Sequence, residues 1–397
     1  MREKLKHITK TTGFANFIAS LLAIVVGLLF GLIILLISNP GQALSGFMVI
    51  LKGGFTNGLV GIGEVWYYAT PIILTGLSVG FAFKTGLFNI GTPGQFIVGA
   101  YAAVYVGVHF TALGPTQWIF ALLAGAIAGG IWGILPGILK AYANVNEVIS
   151  SIMMNYIGMY LVNLLVVRTI FNPLANESVD VNANAVIPKW GLDKIFPYPS
   201  VNAGIIIAII VVIIIHIVLN KTTFGYELKA CGHNPHASKY AGINAKRNIV
   251  TSMIIAGALS GLGGALLYLA GSGKHLQVLD ILAVEGFNGI PVALLGLSNP
   301  IGVLVAGLFI AHITVGGINL QFYDFVPEII DIIIASIIYF SAFSLLFKGF
   351  IAKISKNKED KKAMAAQATN AEKLYTGDVV GAQANGEPPQ LDEGGKE

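Results

Sequence analysis

Apolar runs of about twenty residues recur along most of this chain, and no other feature leaves so few folds open. The hydrocarbon of a bilayer, about 30 Å thick, needs roughly 20 residues of α-helix per crossing. We read ten such runs, at 15–37, 68–84, 94–111, 118–138, 148–167, 203–219, 250–270, 287–298, 300–318 and 327–347, the eighth barely long enough. Composition agrees, since 55% of the 397 residues are hydrophobic, 11% are charged and mean hydropathy is +0.75. A membrane β-barrel would alternate apolar and polar residues, which GIIIAIIVVIII does not. The expected fold class is an all-α polytopic membrane protein, one bundle of about ten transmembrane helices over residues 14–350.

The basic start MREKLKHITK resembles that of a secretory leader. Its apolar stretch is longer than a leader's and reaches Asn39-Pro40 without a small-x-small cleavage site, so it is expected to remain as a helix. With residues 1–13 placed in the cytoplasm, even-numbered spans run inward. Of the 24 Lys and Arg, Lys52, Arg168, Lys189, Lys194 and Lys274 then lie outside and the other 19 inside, the asymmetry that orients membrane proteins. The same topology puts the 220–248 stretch and the 351–397 tail in the cytoplasm, and a proline-rich loop, 172–200, over the outer mouth. The tail has little to bury and is expected to be disordered. Net charge of +4 is read as inner-leaflet anchoring, with Lys348 to Lys362 facing anionic headgroups, and no nucleic acid is invoked.

Within the fourth span Gly125, Gly129, Gly133 and Gly137 share one helical face, a pattern that permits close backbone approach; Gly257, Gly261 and Ala265 repeat it in the seventh. We read both as helix-packing seams. The segment GLFNIGTPGQFIVGAY, 86–101, differs because Gly91, Pro93 and Gly94 break a helix where the third span begins. Broken backbone inside a membrane is tolerated where it is buried in protein or lines a wet cavity, and transporters place substrate beside it. Asn89 and Gln95 flank the break as candidates for the substrate pathway, with amides that suit a neutral polar solute. Holding helices together is the other role open to them. EGFNGIPVALLG repeats Phe-Asn ahead of glycine and proline, which puts Asn288 on a related wall if the chain has two related halves.

Other chemistry finds little support. GSGKH at 271–275 falls short of a phosphate loop, with Tyr268 where its first glycine belongs and His275 in place of Ser or Thr. Cys231, His233 and His236 lie close together but lack a carboxylate or second cluster, so no metal is expected. Cys231 is alone and cannot form an internal disulfide, and His216 and His312 are isolated and expected to bond within the bundle. Glu147, Asp280, Glu285, Asp324, Glu328 and Asp331 fall near span ends, away from the mid-membrane positions that ion-coupled carriers use. An uncharged solute and an external energy source follow.

The polar stretch 220–248, NKTTFGYELKACGHNPHASKYAGINAKRN, is too long for a simple turn between helices. Asn234 suits an N-cap, Pro235 a first helical turn and Gly242 a left-handed stop. A helix from Pro235 to Ala241 would be about 10 Å long. Ala237, Tyr240 and Ala241 would form its contact face, either docked on another protein or lying on the headgroups.

The same stretch, with Glu227, Ala230, Gly232, Asn234, Ala237, Ala241, Gly242 and Ile243, resembles the coupling segment of permease subunits in ATP-binding cassette importers of the branched-chain amino acid, ribose and nucleoside class. GLFNIGTPGQFIVGAY and NEVISSIMMNYI, from Asn146, are similar to the branch that imports nucleosides such as guanosine, and the likeness covers about residues 13 to 350. Many relatives carry glutamate where this chain has Pro93, a departure that bears on substrate identity. The resemblance implies a ten-helix bundle like that of type II importers, in a bacterial inner membrane with both termini cytoplasmic. It implies pairing with itself or a related permease, a nucleoside delivered by an extracellular solute-binding lipoprotein, and a separate ATPase subunit docked on 234–242. ATP is then hydrolysed by that partner, with no cofactor in this chain, and ATPase closure rocks the bundle between two states. A simple sugar such as ribose stays open as the substrate, and an ion-coupled solute carrier or a membrane scaffold as the function.

Overall fold

The computed structural model of the protein describes residues 12–326 and 328–342, together with Gly349. Most of the expected amino-terminal segment, the end of the tenth run, the basic run after Lys348 apart from Gly349, and the 351–397 tail lie outside the described residues. The chain divides into two units. Residues 1–22 and 343–397 form one, of which the described part is the start of a helix and Gly349; residues 23–342 form the other and carry the architecture that follows.

Fourteen helices follow in order among the described residues: α1 (Thr12–Ser38), α2 (Ala43–Lys52), α3 (Leu59–Lys84), α4 (Thr92–His109), α5 (Gln117–Ala143), α6 (Glu147–Thr169), α7 (Gly204–Lys221), α8 (Thr223–His233), α9 (Pro235–Tyr240), α10 (Ala245–Tyr268), α11 (Val284–Phe287), α12 (Gly289–Leu295), α13 (Pro300–Ile318) and α14 (Glu328–Ala342), a single turn at Leu192–Ile195 being left unlabelled. Two short antiparallel strands, β1 (Phe171–Asn172) and β2 (Glu177–Ser178), stand between α6 and α7. Helix occupies each of the ten apolar runs. Among the described residues six helical segments, those containing α3, α5, α6, α7, α10 and α13, are long and apolar enough to cross a membrane. Three features depart from the expected spans. Helix α2 lies outside the ten runs, the eighth run is two short helices meeting at Asn288, and α3 begins at Leu59 in place of 68. The early start draws Glu64 into a helix, a carboxylate missing from those placed at span ends.

Three helices meet backbone to backbone. A Cβ on Gly125 of α5 would lie 2.7 Å from the Ala265 Cβ of α10, and one on Gly129 would lie 2.7 Å from the Gly261 Cα. Gly133 abuts the Met253 carbonyl, and Gly137 has room for a Cβ only 3.1 Å from the Met253 Cβ. Gly99 of α4 closes on Gly125 and Gly261 from the third side. Lipid is as apolar as leucine, so contacts this close gain dispersion that a looser pairing would forfeit.

The bundle has two distinct ends. At one, Gly86 sits against Gly232, Lys140 pairs with Glu147 at 2.9 Å, and the Lys246 ammonium lies 4.8 Å over the Tyr142 ring. At the other, residues 172–200 fold back over the helices. Asn182 Nδ2 donates to the carbonyls of Gly107 (2.7 Å) and Val108 (2.9 Å), and Ile187 N–H to that of Leu269 (2.9 Å). Trp190 meets Trp118 edge-on, Phe196 packs on Trp66, and burial pushes the Tyr198 phenol up. His312 ties α13 to the α2–α3 turn through Gly54 N–H (3.3 Å) and the Leu51 carbonyl (3.1 Å); His216 pairs with Asn220 at 3.3 Å.

Candidate functional site

Two interrupted helices make up the candidate site, and they touch. Helix α3 stops at Lys84, and Gly86 turns the chain in the left-handed region (φ +74°), which favours glycine. Thr85 Oγ1 lies 2.7 Å from Ser252 Oγ, and the Thr92 carbonyl accepts from Ser260 Oγ at 2.8 Å. Eight residues of α10 separate those serines, about 12 Å at helical rise, so residues 85–92 climb back into the bundle before α4 starts. The helix begins within the protein interior.

Asn89 and Gln95 lock across this break. Asn89 Nδ2 donates to Gln95 Oε1 (2.8 Å) and Ser78 Oγ (3.1 Å), while Gln95 Nε2 donates to Asn89 Oδ1 (3.2 Å). Both side chains are fully buried, so here the two amides meet each other, with neither open to solvent. The freed backbone is held from a distance by Asn155 of α6, a residue without an assigned role in the sequence reading. Its Nδ2 donates to the Ile90 carbonyl and its Oδ1 accepts from Gly94 N–H, both at 2.9 Å. A buried asparagine in the middle of an apolar helix was the available signal, because an amide there needs partners.

Asn288 is half-buried and is hydrogen-bonded to neither Asn89 nor Gln95. Its neighbours do converge on the break: Gly286 packs directly on Pro93, and Gly289 packs on Thr75, one turn of α3 before the Ser78 that holds Asn89. Pro93, the departure from the relatives' pattern, therefore stands where the two Phe-Asn segments meet.

The 220–248 stretch folds as a helical hairpin. Thr222 caps α8 by accepting from Gly225 N–H (3.1 Å), and Leu228 and Cys231 bury its inner face. Asn248 Nδ2 reaches Glu227 Oε2 (3.2 Å) and Cys231 Sγ (3.6 Å), tying α8 to the start of α10. Cys231 is thus a packing residue here, while His233 and His236 are exposed. Asn234 Oδ1 accepts from His236 and Ala237 N–H, both at 3.0 Å, and Gly242 ends the helix at φ +79°. The residues singled out from sequence separate into two sets. Glu227, Ala230 and Gly232 are partly buried and seat the hairpin, whereas Ala237, Tyr240 and Ala241 face solvent, Tyr240 at 96% exposure.

Gly232 joins the two parts. A Cβ there would lie 2.5 Å from the Lys84 carbonyl oxygen and 2.9 Å from Gly86 N. Displacing α8 therefore displaces the turn that launches the 85–92 segment, since close-packed backbones move together.

Residues 61–342 match the family described as branched-chain amino acid transport system / permease component. The guanosine ABC transporter permease protein NupP of Bacillus subtilis is 39% identical over 343 residues, 86% of this chain and 97% of that protein. The nucleoside ABC transporter permease protein NupB of Lactococcus lactis is 36% identical over 84% of this chain and 92% of its own length. The glucose ABC transporter permease protein TsgB13 of Haloferax volcanii is 31% identical over 77% and 82%. No solved structure matches the chain.

Proposed function

The chain belongs to the branched-chain amino acid transport permease family, and from that premise we propose that it is the membrane path of an ATP-driven nucleoside importer. As a permease component it has no ATPase site of its own, and hydrolysis belongs to a separate subunit. The observation that carries the reading is the contact of Gly232 with Lys84 and Gly86, which links an exposed, self-capped helix to a buried helix break. An ATPase pair closing beneath α9 would push α8, shift residues 85–92 and exchange the Asn89–Gln95 lock for contacts with solute, one of two packed states. Asn89, Gln95 and Asn288 then line the route in turn.

Charge supports an orientation for the bundle. Among the described residues, Lys84, Lys140, Lys221, Lys229, Lys239, Lys246 and Arg247 collect at the hairpin end with only Glu147 and Glu227 against them, which favours a cytoplasmic hairpin. The folded 172–200 segment then faces outward as the seat for a solute-binding protein. On α6, Tyr156 and Tyr160 stand 49% and 55% exposed on an apolar face, where phenol hydroxyls suit a second permease better than hydrocarbon. Nucleoside is favoured over sugar because NupP and NupB exceed the glucose permease TsgB13 in identity and coverage.

Competition decides the substrate. Labelled guanosine uptake by cells carrying this chain should be competed by adenosine or uridine and scarcely by ribose or leucine. Uptake equal with and without the chain, or competition by ribose alone, overturns the proposal.

A further inference from the structure

A cavity of about 410 Å³ opens at the bundle end away from the hairpin, within the roughly 300–1,000 Å³ of small-ligand pockets. Ile97 of α4 and Tyr268 of α10 line it from the helices, residues 273–285 wall it, and Glu177 of β2 closes one side. Ile97 stands one turn beyond Pro93, and Glu285 immediately precedes the Gly286 that packs on Pro93. The cavity therefore lies directly outward of the α4 break.

Its lysine is already paired. Lys274 is ion-paired to Glu285, with its ammonium 6.0 Å from the Tyr268 ring centroid. His275 Nε2 is 3.5 Å from the exposed Asp180 and 4.0 Å from Glu177. With its lysine neutralised and Glu177 only loosely held, the cavity would repel a phosphate and accept from hydroxyl donors. A carboxylate beside an aromatic ring is the pairing that recognises a ribose diol and stacks a base.

We propose that this cavity is the first nucleoside-binding station on the chain, with Tyr268 stacking the base and Glu177 accepting hydrogen bonds from the ribose 2′- and 3′-hydroxyls. The assignment rests on the nucleoside-import reading and adds a site to it. With Lys274 held by Glu285, Glu177 disfavours a phosphate there, so selection against nucleotides is made in this chain.

The test uses the whole transporter, permease, ATPase and binding protein together, in liposomes, comparing uptake of guanosine with that of 2′,3′-dideoxyguanosine. Glu177→Gln should cut the preference for guanosine about tenfold, the loss expected when a charged acceptor of hydroxyl donors turns neutral. Tyr268→Leu should raise KM for both solutes about tenfold while Tyr268→Phe leaves it unchanged, because a ring is needed and its hydroxyl is not. The binding protein is identical throughout, so its own preference cancels in the ratios. An unchanged solute ratio in co-purifying Glu177→Gln complexes, or equal KM in Tyr268→Leu and wild type, overturns the site while the import reading stands. Wild-type transporter that takes up neither solute overturns the import reading itself.

Discussion

The helix interruption at 85–95 and the one at Asn234 are both made with asparagine and proline, yet they are stabilised in opposite ways. At Asn234 the side chain satisfies the orphaned N–H groups of its own helix, and the remainder of α9, apart from the buried Ser238, is exposed. Inside the bundle no water can finish the job. The freed groups of Ile90 and Gly94 are met from α6 by Asn155, and the Thr92 carbonyl from α10 by Ser260. A surface break is therefore a local decision, whereas an interior break is shared among several helices and can move only if they move.

That contrast sets a ranked series of substitutions. Asn155→Leu should be the most damaging, since it orphans two buried backbone groups at about 1–3 kcal/mol each, roughly 2–6 kcal/mol together. Thermal unfolding of the detergent-purified chain measures it, and a midpoint equal to wild type would mean that the break does not depend on α6. Gly232→Val comes next. It forces α8 away from Lys84 and Gly86, with an overpacking cost of about 1–3 kcal/mol and uptake falling further than ATPase co-purification. If uptake and co-purification fall in parallel, the joint is only a docking element.

Asn234→Ala removes a local cap worth about 1 kcal/mol. Circular dichroism and the unfolding midpoint should change little, because α9 packs on the bundle only through Ser238 among its six residues. Last, Tyr240→Ser alters a fully displayed side chain and should leave stability within about 0.5 kcal/mol of wild type while weakening ATPase retention on an affinity column. Undiminished retention would move the docking face elsewhere on the hairpin.

Much of the scaffold was legible because its causes are local. Apolar runs announced the helices, Asn234, Pro235 and Gly242 announced α9, and the four-residue glycine spacing announced a face that lies on α10. Boundaries suffered where a helix carries polar residues at its start: Glu64 hid the first turns of α3. The site was read by residue type but not by partner. Asn89 and Gln95 were candidates for solute contact, and in this structure they bond to one another, because two amides excluded from water satisfy themselves with whatever the fold brings nearest. The cavity beside Tyr268 was out of reach for a similar reason, as Ile97, Glu177, Tyr268 and Glu285 come from four separate stretches of chain.

By itself the sequence determined that this protein is a helical membrane bundle without a phosphate loop, carrying a capped polar helix, since hydrophobic length, charge distribution and capping act over a few residues at a time. The tertiary structure decided what those parts can do together. It set Gly232 on Gly86, aimed Asn155 at the break and packed Gly286 on Pro93, contacts that depend on which backbones glycine lets approach and on where buried polar groups find partners.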